Sequence, residues 1–178
     1  MHSDQPEAGA DLPHEQPPNR VEILFAAQGC WQPMSEHVNH TITVAEFGIL
    51  AAQAAGIEEI VEVFREDAED PLANHLVLIE HLAAEFSLLH VSRRHAKIAV
   101  TVEFNGRDIK REYRSNATVE RVIRWAISPD EFDLVGDPSD FQMKHENEVL
   151  PPDMHVGQVP HPHHAVKLSL VLKVKPQG

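Results

Sequence analysis

Cys30 is the one thiol in the 178-residue chain, and it sits beside Trp31. A thiolate nucleophile needs a neighbouring base or cation to lower its pKa. No Ser, His or Asp arrangement of defined spacing surrounds Cys30, which therefore reads as an incidental thiol. His161, His163 and His164, with His155 upstream, offer imidazoles of the kind metals take. No Cys accompanies them and Pro160 and Pro162 mark a loop, so no metal is expected there. Arg107, Lys110, Arg111, Arg114, Arg121 and Arg124 concentrate positive charge in one stretch. Interleaved Asp108, Glu112 and Glu120 make a solvated face the plain reading. The sharper reading is a docking surface, with Arg107, Arg111, Arg121 and Arg124 facing an acidic partner or the other part of the chain. No metal or cofactor is expected from these residues, and none of them reads as catalytic.

The whole-chain balance narrows the classes further. Fifteen Lys and Arg face 28 Asp and Glu, a net charge of −13, which disfavours partners that present phosphates, whether nucleic acid or anionic membrane. A single Cys cannot build a disulfide framework. The longest apolar stretch, Phe47 to Ile57, is interrupted by Gln53 and falls far short of the about 20 residues a membrane span needs. The amino terminus shows no basic region leading into an apolar run. These features place the expectation on a soluble cytoplasmic protein.

The elements that must carry any function are written twice. Thr43-Val44-Ala45-Glu46-Phe47-Gly48-Ile49-Leu50-Ala51 and Thr118-Val119-Glu120-Arg121-Val122-Ile123-Arg124-Trp125-Ala126 share one pattern, 75 residues apart. Val44, Phe47 and Ala51, like Val119, Val122 and Ala126, fall on one helical face. Each Thr can cap the helix, Glu46 completes a capping box, and Gly56 and Pro129 supply the stops. Strand-like runs precede each helix. In the first copy these are Val21 to Phe25 and then Val38, His40, Ile42 and Val44, spaced by two. In the second, Ile98 to Phe104 meets the hairpin dipeptide Asn105-Gly106 and returns through Arg107 to Arg114. Further strands are expected at Ile60 to Phe64, Ser87 to Val91, Phe141 to His145 and Val166 to Val174. The boundary falls at Ser92 to Ala96, short and free of Gly and Pro. Residues 1 to 19, Pro-rich and acidic without a Lys or Arg, read as a disordered tail. The first 96 residues hold four Arg, no Lys and sixteen acids, net −12; all six Lys lie in residues 97 to 178. Met143 and Met154 take core-like positions.

A strand, hairpin, helix and strand unit of this size resembles the ubiquitin-like β-grasp fold. The residues that carry the resemblance are Leu168-Ser169-Leu170-Val171-Leu172-Lys173-Val174-Lys175-Pro176-Gln177-Gly178, similar to the last strand and tail of ubiquitin, and Ser115 to Val122, similar to the start of its helix. A tandem pair with one carboxy-terminal tail resembles the two-domain interferon-stimulated modifiers, and especially the bacterial counterparts in antiphage Bil conjugation systems. The resemblance implies an α+β chain of two tandem ubiquitin-like β-grasp domains, 20–95 and 97–178, with 175–178 as a conjugation tail. It implies an ATP-dependent activating enzyme, a conjugating enzyme and a metal-dependent deconjugating peptidase as partners, and a phage structural protein as target. Pro176-Gln177-Gly178 stands where the family has its diglycine, and Lys144 stands at the exposed apolar position of the third strand while Val171 is kept, which implies a dedicated set of enzymes.

On that resemblance Gly178 is the acyl donor, and its lack of a Cβ leaves the carbonyl open to a thiolate and then an amine. Pro176 keeps the tail extended, Gln177 spaces it, and Lys173 and Lys175 meet acids on an enzyme groove. Two other functions share the fold: a non-covalent adaptor that uses its domains for docking, and a sulfur carrier, which the duplication disfavours.

Overall fold

The computed structural model describes residues 20–82, 88–159 and 164–173. The expectations for residues 1–19, for His161 and His163, and for Lys175, Pro176, Gln177 and Gly178 lie outside the described residues.

Among the described residues, two sheets and three α-helices are laid down in the order β1 (Arg20–Ala27), β2 (Met34–Asn39), α1 (Val44–Ala55), β3 (Val61–Phe64), α2 (Leu78–His81), β4 (Leu89–Arg93), β5 (Lys97–Phe104), β6 (Arg107–Arg114), α3 (Val119–Ala126), β7 (Phe141–His145), β8 (Glu148–Leu150) and β9 (Ala165–Leu172). The first sheet runs β2-β1-β4-β3 and the second β6-β5-β9-β7-β8. In both, a hairpin supplies two antiparallel strands and the last strand returns parallel to the first. This is the β-grasp arrangement, written twice in one mixed α+β chain.

Local chemistry explains the helices. Thr43 accepts the Glu46 N–H while Glu46 returns to the Thr43 N–H, closing the capping box, and Gly56 ends α1 in the left-handed region at φ 67°. Thr118 accepts the Arg121 N–H at 3.1 Å; α3 stops at Ala126, three residues before Pro129. Asn105 and Gly106 both take positive φ, 51° and 79°, as a two-residue hairpin demands. The apolar faces close two cores. Phe25 and Phe47 meet edge to face at 5.5 Å in the first, and Val100, Val122, Met143, Met154 and Leu168 lie in the second.

Hydrogen bonds repeat the duplication at atomic detail. At α1, Val44 donates to the Leu76 carbonyl, Leu78 to Ile42 and Ala45 to Asn74, at 2.9, 2.8 and 3.1 Å. At α3, Val119 donates to Met154, Val156 to Ala117 and Glu120 to Pro152, at 2.9, 2.8 and 2.9 Å. The copies differ at one edge: β8 pairs with β7 in the second, while in the first only the Leu72 N–H reaches Val63, at 2.8 Å.

Three sequence expectations are corrected. The alternation over Val38, His40, Ile42 and Val44 is no continuous strand, because β2 ends at Asn39, Ile42 donates back to Asn39 at 3.0 Å, and Val44 already opens α1. Placing Thr43 as the cap forces the chain to turn before it. The strand marked Ser87 to Val91 runs on to Arg93, with Leu89 as its first described strand residue, and Ser87 lies outside the described residues. The boundary marked at Ser92 narrows to 94–96, since β4 runs through Arg93 and β5 starts at Lys97.

Candidate functional site

The tail leaves from the middle of the second sheet. β9 lies between β5, parallel, and β7, antiparallel, so both of its edges are hydrogen-bonded. The last described residue, Lys173, is fixed by its N–H to the Asp140 carbonyl at 2.9 Å. Val166, Leu168 and Leu170 point into the core. Residues 165, 167, 169 and 171 take the other face by the period of two. Val171 is half-buried there, in register with Gln142, and Lys144 stands opposite Ser169. Lys167 reaches Asp108 at 2.8 Å on the same face. That face is therefore mixed and charged around Val171.

β9 runs parallel to β5, with Ser169 opposite Glu103, so the tail emerges at the pole of the Asn105-Gly106 turn. The first unit joins at the opposite pole, where Lys97 begins β5 and Arg114 ends β6. The length of an eight-residue strand, roughly 23 Å, separates them.

The candidate basic surface divides. Arg111 lies over the Tyr113 and Trp125 rings at 5.5 and 5.9 Å, and Arg107 over Phe132 at 5.5 Å. Arg124 pairs with Glu120 one turn back. Arg121 serves the first unit: its guanidinium donates to the Asp67 carbonyl at 2.9 Å and binds the Glu69 carboxylate, holding that carboxyl below its usual pKa. Arg114 lies over Phe64 of the first unit at 5.5 Å.

The basic stretch marked Arg121 as a contact to the other part of the chain, but the buried histidine contact beside it was not visible in the sequence. β4 alternates Leu89 and Val91 into the first core with His90 and Ser92 on the other face, yet all four are buried. The second unit covers that other face. His90 and His155 meet Nδ1 to Nδ1 at 3.0 Å, both fully buried, and His90 Nε2 contacts the Ser115 hydroxyl at 2.9 Å. Burial pushes the His90 imidazolium well down, and pushes His155 down to about 4 against the pull of Asp67 and Asp153. One Nδ1 donates and the other accepts; with both rings protonated, two donors would face each other. His155 Nε2 looks toward Glu66 at 3.9 Å. The Asp67 carboxylate, on a residue at φ 52°, accepts the Thr118 N–H and hydroxyl, each at 2.8 Å, and so caps α3 from the other unit. Asn116 donates to the Arg65 and Ala68 carbonyls at 2.8 and 2.9 Å. Gly29 donates to the Gly157 carbonyl at 2.8 Å, and Gln158 to the Trp31 carbonyl at 3.1 Å.

The other chemistry candidates settle into packing. Cys30 is half-buried at the margin of the first core, its Sγ 3.9 Å from the Ala55 carbonyl. His155 is committed to His90, and among the described residues no three metal-ligating side chains converge. No described helix is long and apolar enough to cross a membrane.

Residues 99–173 match the family model described as BilA ubiquitin-like domain 2. The second unit is thus similar to a BilA ubiquitin-like domain. The BilA match runs from the second residue past the start of β5 to the last described residue before the tail, covering the second sheet and α3. No curated protein matches the sequence. Among solved structures, a ubiquitin of Caldiarchaeum subterraneum shares 14% identity over 46% of this chain and 99% of its own, with a TM-score of 0.36. An Arabidopsis thaliana protein, solved by combining evolutionary couplings with sparse NMR data, shares 18% over 46% of this chain and 93% of its own, with a TM-score of 0.33.

Proposed function

We propose that this chain is a protein modifier, activated at the Gly178 carboxylate and joined to target proteins in cytoplasmic antiphage defence, with 20–95 and 97–178 as its two domains. The observation that carries this reading is the BilA match over residues 99–173, which stops where a tail of Val174-Lys175-Pro176-Gln177-Gly178 begins. Supporting it, β9 is paired with β5 as far as Ser169 and with β7 as far as Leu172, and the Lys173 N–H is held by Asp140, so the last described residue is fixed at the pole away from the first unit. The partners follow from the chemistry. An ATP-dependent activating enzyme joins the Gly178 carboxylate to AMP and releases pyrophosphate. A thiolate then displaces AMP, a conjugating enzyme carries the thioester, and a target amine displaces the thiolate. A metal-dependent peptidase reverses the final bond, and a phage structural protein is the target. Lys173, Lys175, Pro176 and Gln177 guide the tail into the activating enzyme. Val171, Arg107, Arg111 and Arg124 remain for docking, whereas Arg121 is engaged within the chain.

Incubation with the cognate activating enzyme, ATP and Mg²⁺ should give a thioester that hydroxylamine or a reducing thiol releases. Deleting Gly178 should abolish it and leave the thermal melt unchanged, because the residue lies beyond β9. Full biological activity of the deletion variant would instead identify a non-covalent adaptor.

A further inference from the structure

The first unit carries an apolar groove of about 720 Å³ between α1 and the edge strand β3. Its floor is Ala52, Ile57, Val61 and Val63. Two large apolar side chains stand open at its lips, Ile49 at 59% and Ile60 at 71% exposure. Glu58 and Glu59 border the same groove, in a unit with a strong excess of acids and no Lys. Arg93 pairs with Glu59 at 2.8 Å, leaving Glu58 as the acid to be matched from outside. Among the described residues, β3 is hydrogen-bonded along β4 only, apart from the Leu72 contact to Val63. The groove runs the length of α1, about 18 Å, enough for five extended residues.

The occupant must then be extended, partly apolar and basic. The amino-terminal residues 1–19 are acidic and carry no Lys or Arg, so the rim repels them. The segment Leu172-Lys173-Val174-Lys175-Pro176 has the required alternation: in a strand, Leu172 and Val174 share one face and both Lys the other. Leu172 is already 60% exposed at the end of β9. Residues 174 to 178 do not reach the groove of their own chain. The five residues after Lys173 extend at most about 18 Å, less than the roughly 23 Å of β5 that separates the tail's exit from the first unit.

We infer that the groove between α1 and β3 docks the carboxy-terminal tail of a second copy of this chain. Val174 enters over Ala52 and Val61, the side chains of Lys173 and Lys175 meet Glu58 and its acidic surroundings, and the backbone beyond Lys173, whose own N–H stays on Asp140, lies along the open part of β3. A docked tail finds no Lys on the unit that holds it, so docking does not lead to self-modification there. This inference goes beyond the acyl-donor reading and does not need it.

The test uses the full chain, labelled with ¹⁵N, and a synthetic peptide with the sequence of residues 172–178. Amide shifts should concentrate at Gly48, Ile49, Ile60 and Val61, and weaken as salt rises. Ile60→Glu, at an exposed position, should lower peptide affinity at least about tenfold, and a peptide with both Lys changed to Glu should fail to bind. Sedimentation of the full chain should show concentration-dependent pairing that is lost when residues 174–178 are deleted. Shifts confined to the second unit, no shifts, or pairing that survives the deletion would each overturn the inference. Thioester formation by Ile60→Glu should stay at the wild-type rate, so failure here leaves the acyl-donor reading untouched.

Discussion

At the residue scale, the least expected feature is a pair of buried histidines. Each ring is neutral because burial disfavours its charged form. The unfolded chain has no such burial, so its histidines take protons near pH 6.5 while the folded pair does not. Below that pH the unfolded state binds more protons, and stability falls as the pH falls. The limit is about 1.4 kcal/mol per pH unit for each histidine. Glu66 opposes this at the acid end, because burial and then Asp67, Asp153 and Glu120 raise its pKa and its protonation favours the fold. Thermal midpoints should therefore drop between pH 7.5 and 5. His155→Gln, which keeps a hydrogen-bonding side chain, should lower stability at pH 7.5 by about 1–3 kcal/mol and make the drop about half as steep. A midpoint that is flat over this range in the native chain would contradict the neutral pair.

At the scale of elements, the segment 65–69 after β3 caps a helix that belongs to the other unit. Asp67→Ala removes both acceptors from Thr118 and leaves its N–H unpaired at the start of α3. The expected cost in urea denaturation is about 1–3 kcal/mol. Asp67→Asn, which keeps one acceptor and tolerates the left-handed backbone, should recover more than half of it. Equal losses for both substitutions would show that charge alone, rather than the cap, holds the contact. What the sequence made legible follows the same line. The caps at Thr43 and Thr118, the stop at Gly56 and the hairpin at Asn105-Gly106 are decided by residues a few positions apart, so their types report them. β8 is three residues long and has no apolar alternation to announce it. The contacts of Asp67 with Thr118 and of His90 with His155 join residues 51 and 65 apart. Each of these side chains also suits an exposed loop or strand, so only the fold shows their use. The burial of all of Leu89-His90-Val91-Ser92 is the structural signature that neither His90 nor Ser92 faces water.

At the scale of the molecule, one copy of the fold has been turned toward its neighbour and the other toward the outside. The outer face of the first sheet, through Phe64, His90 and Ser92, is closed against the second unit. The second unit keeps its outer face and the pole from which the tail leaves. The asymmetry of Lys fits this division, since every amine on a side chain lies in the second unit. The central claim is that Gly178 is the end that becomes joined to targets. Trypsin cuts after Lys173 but is blocked at Lys175 by Pro176, so a conjugated target lysine should carry the branch Val174-Lys175-Pro176-Gln177-Gly178 after digestion. Mass spectrometry of phage-infected cells that express this chain with its cognate activating and conjugating enzymes should find this branch on lysines of other proteins, and on this chain only at Lys97, Lys110, Lys144, Lys167, Lys173 or Lys175. Recovery of the same peptide solely with a free Gly178 carboxylate, with no branched lysine anywhere, would contradict the account.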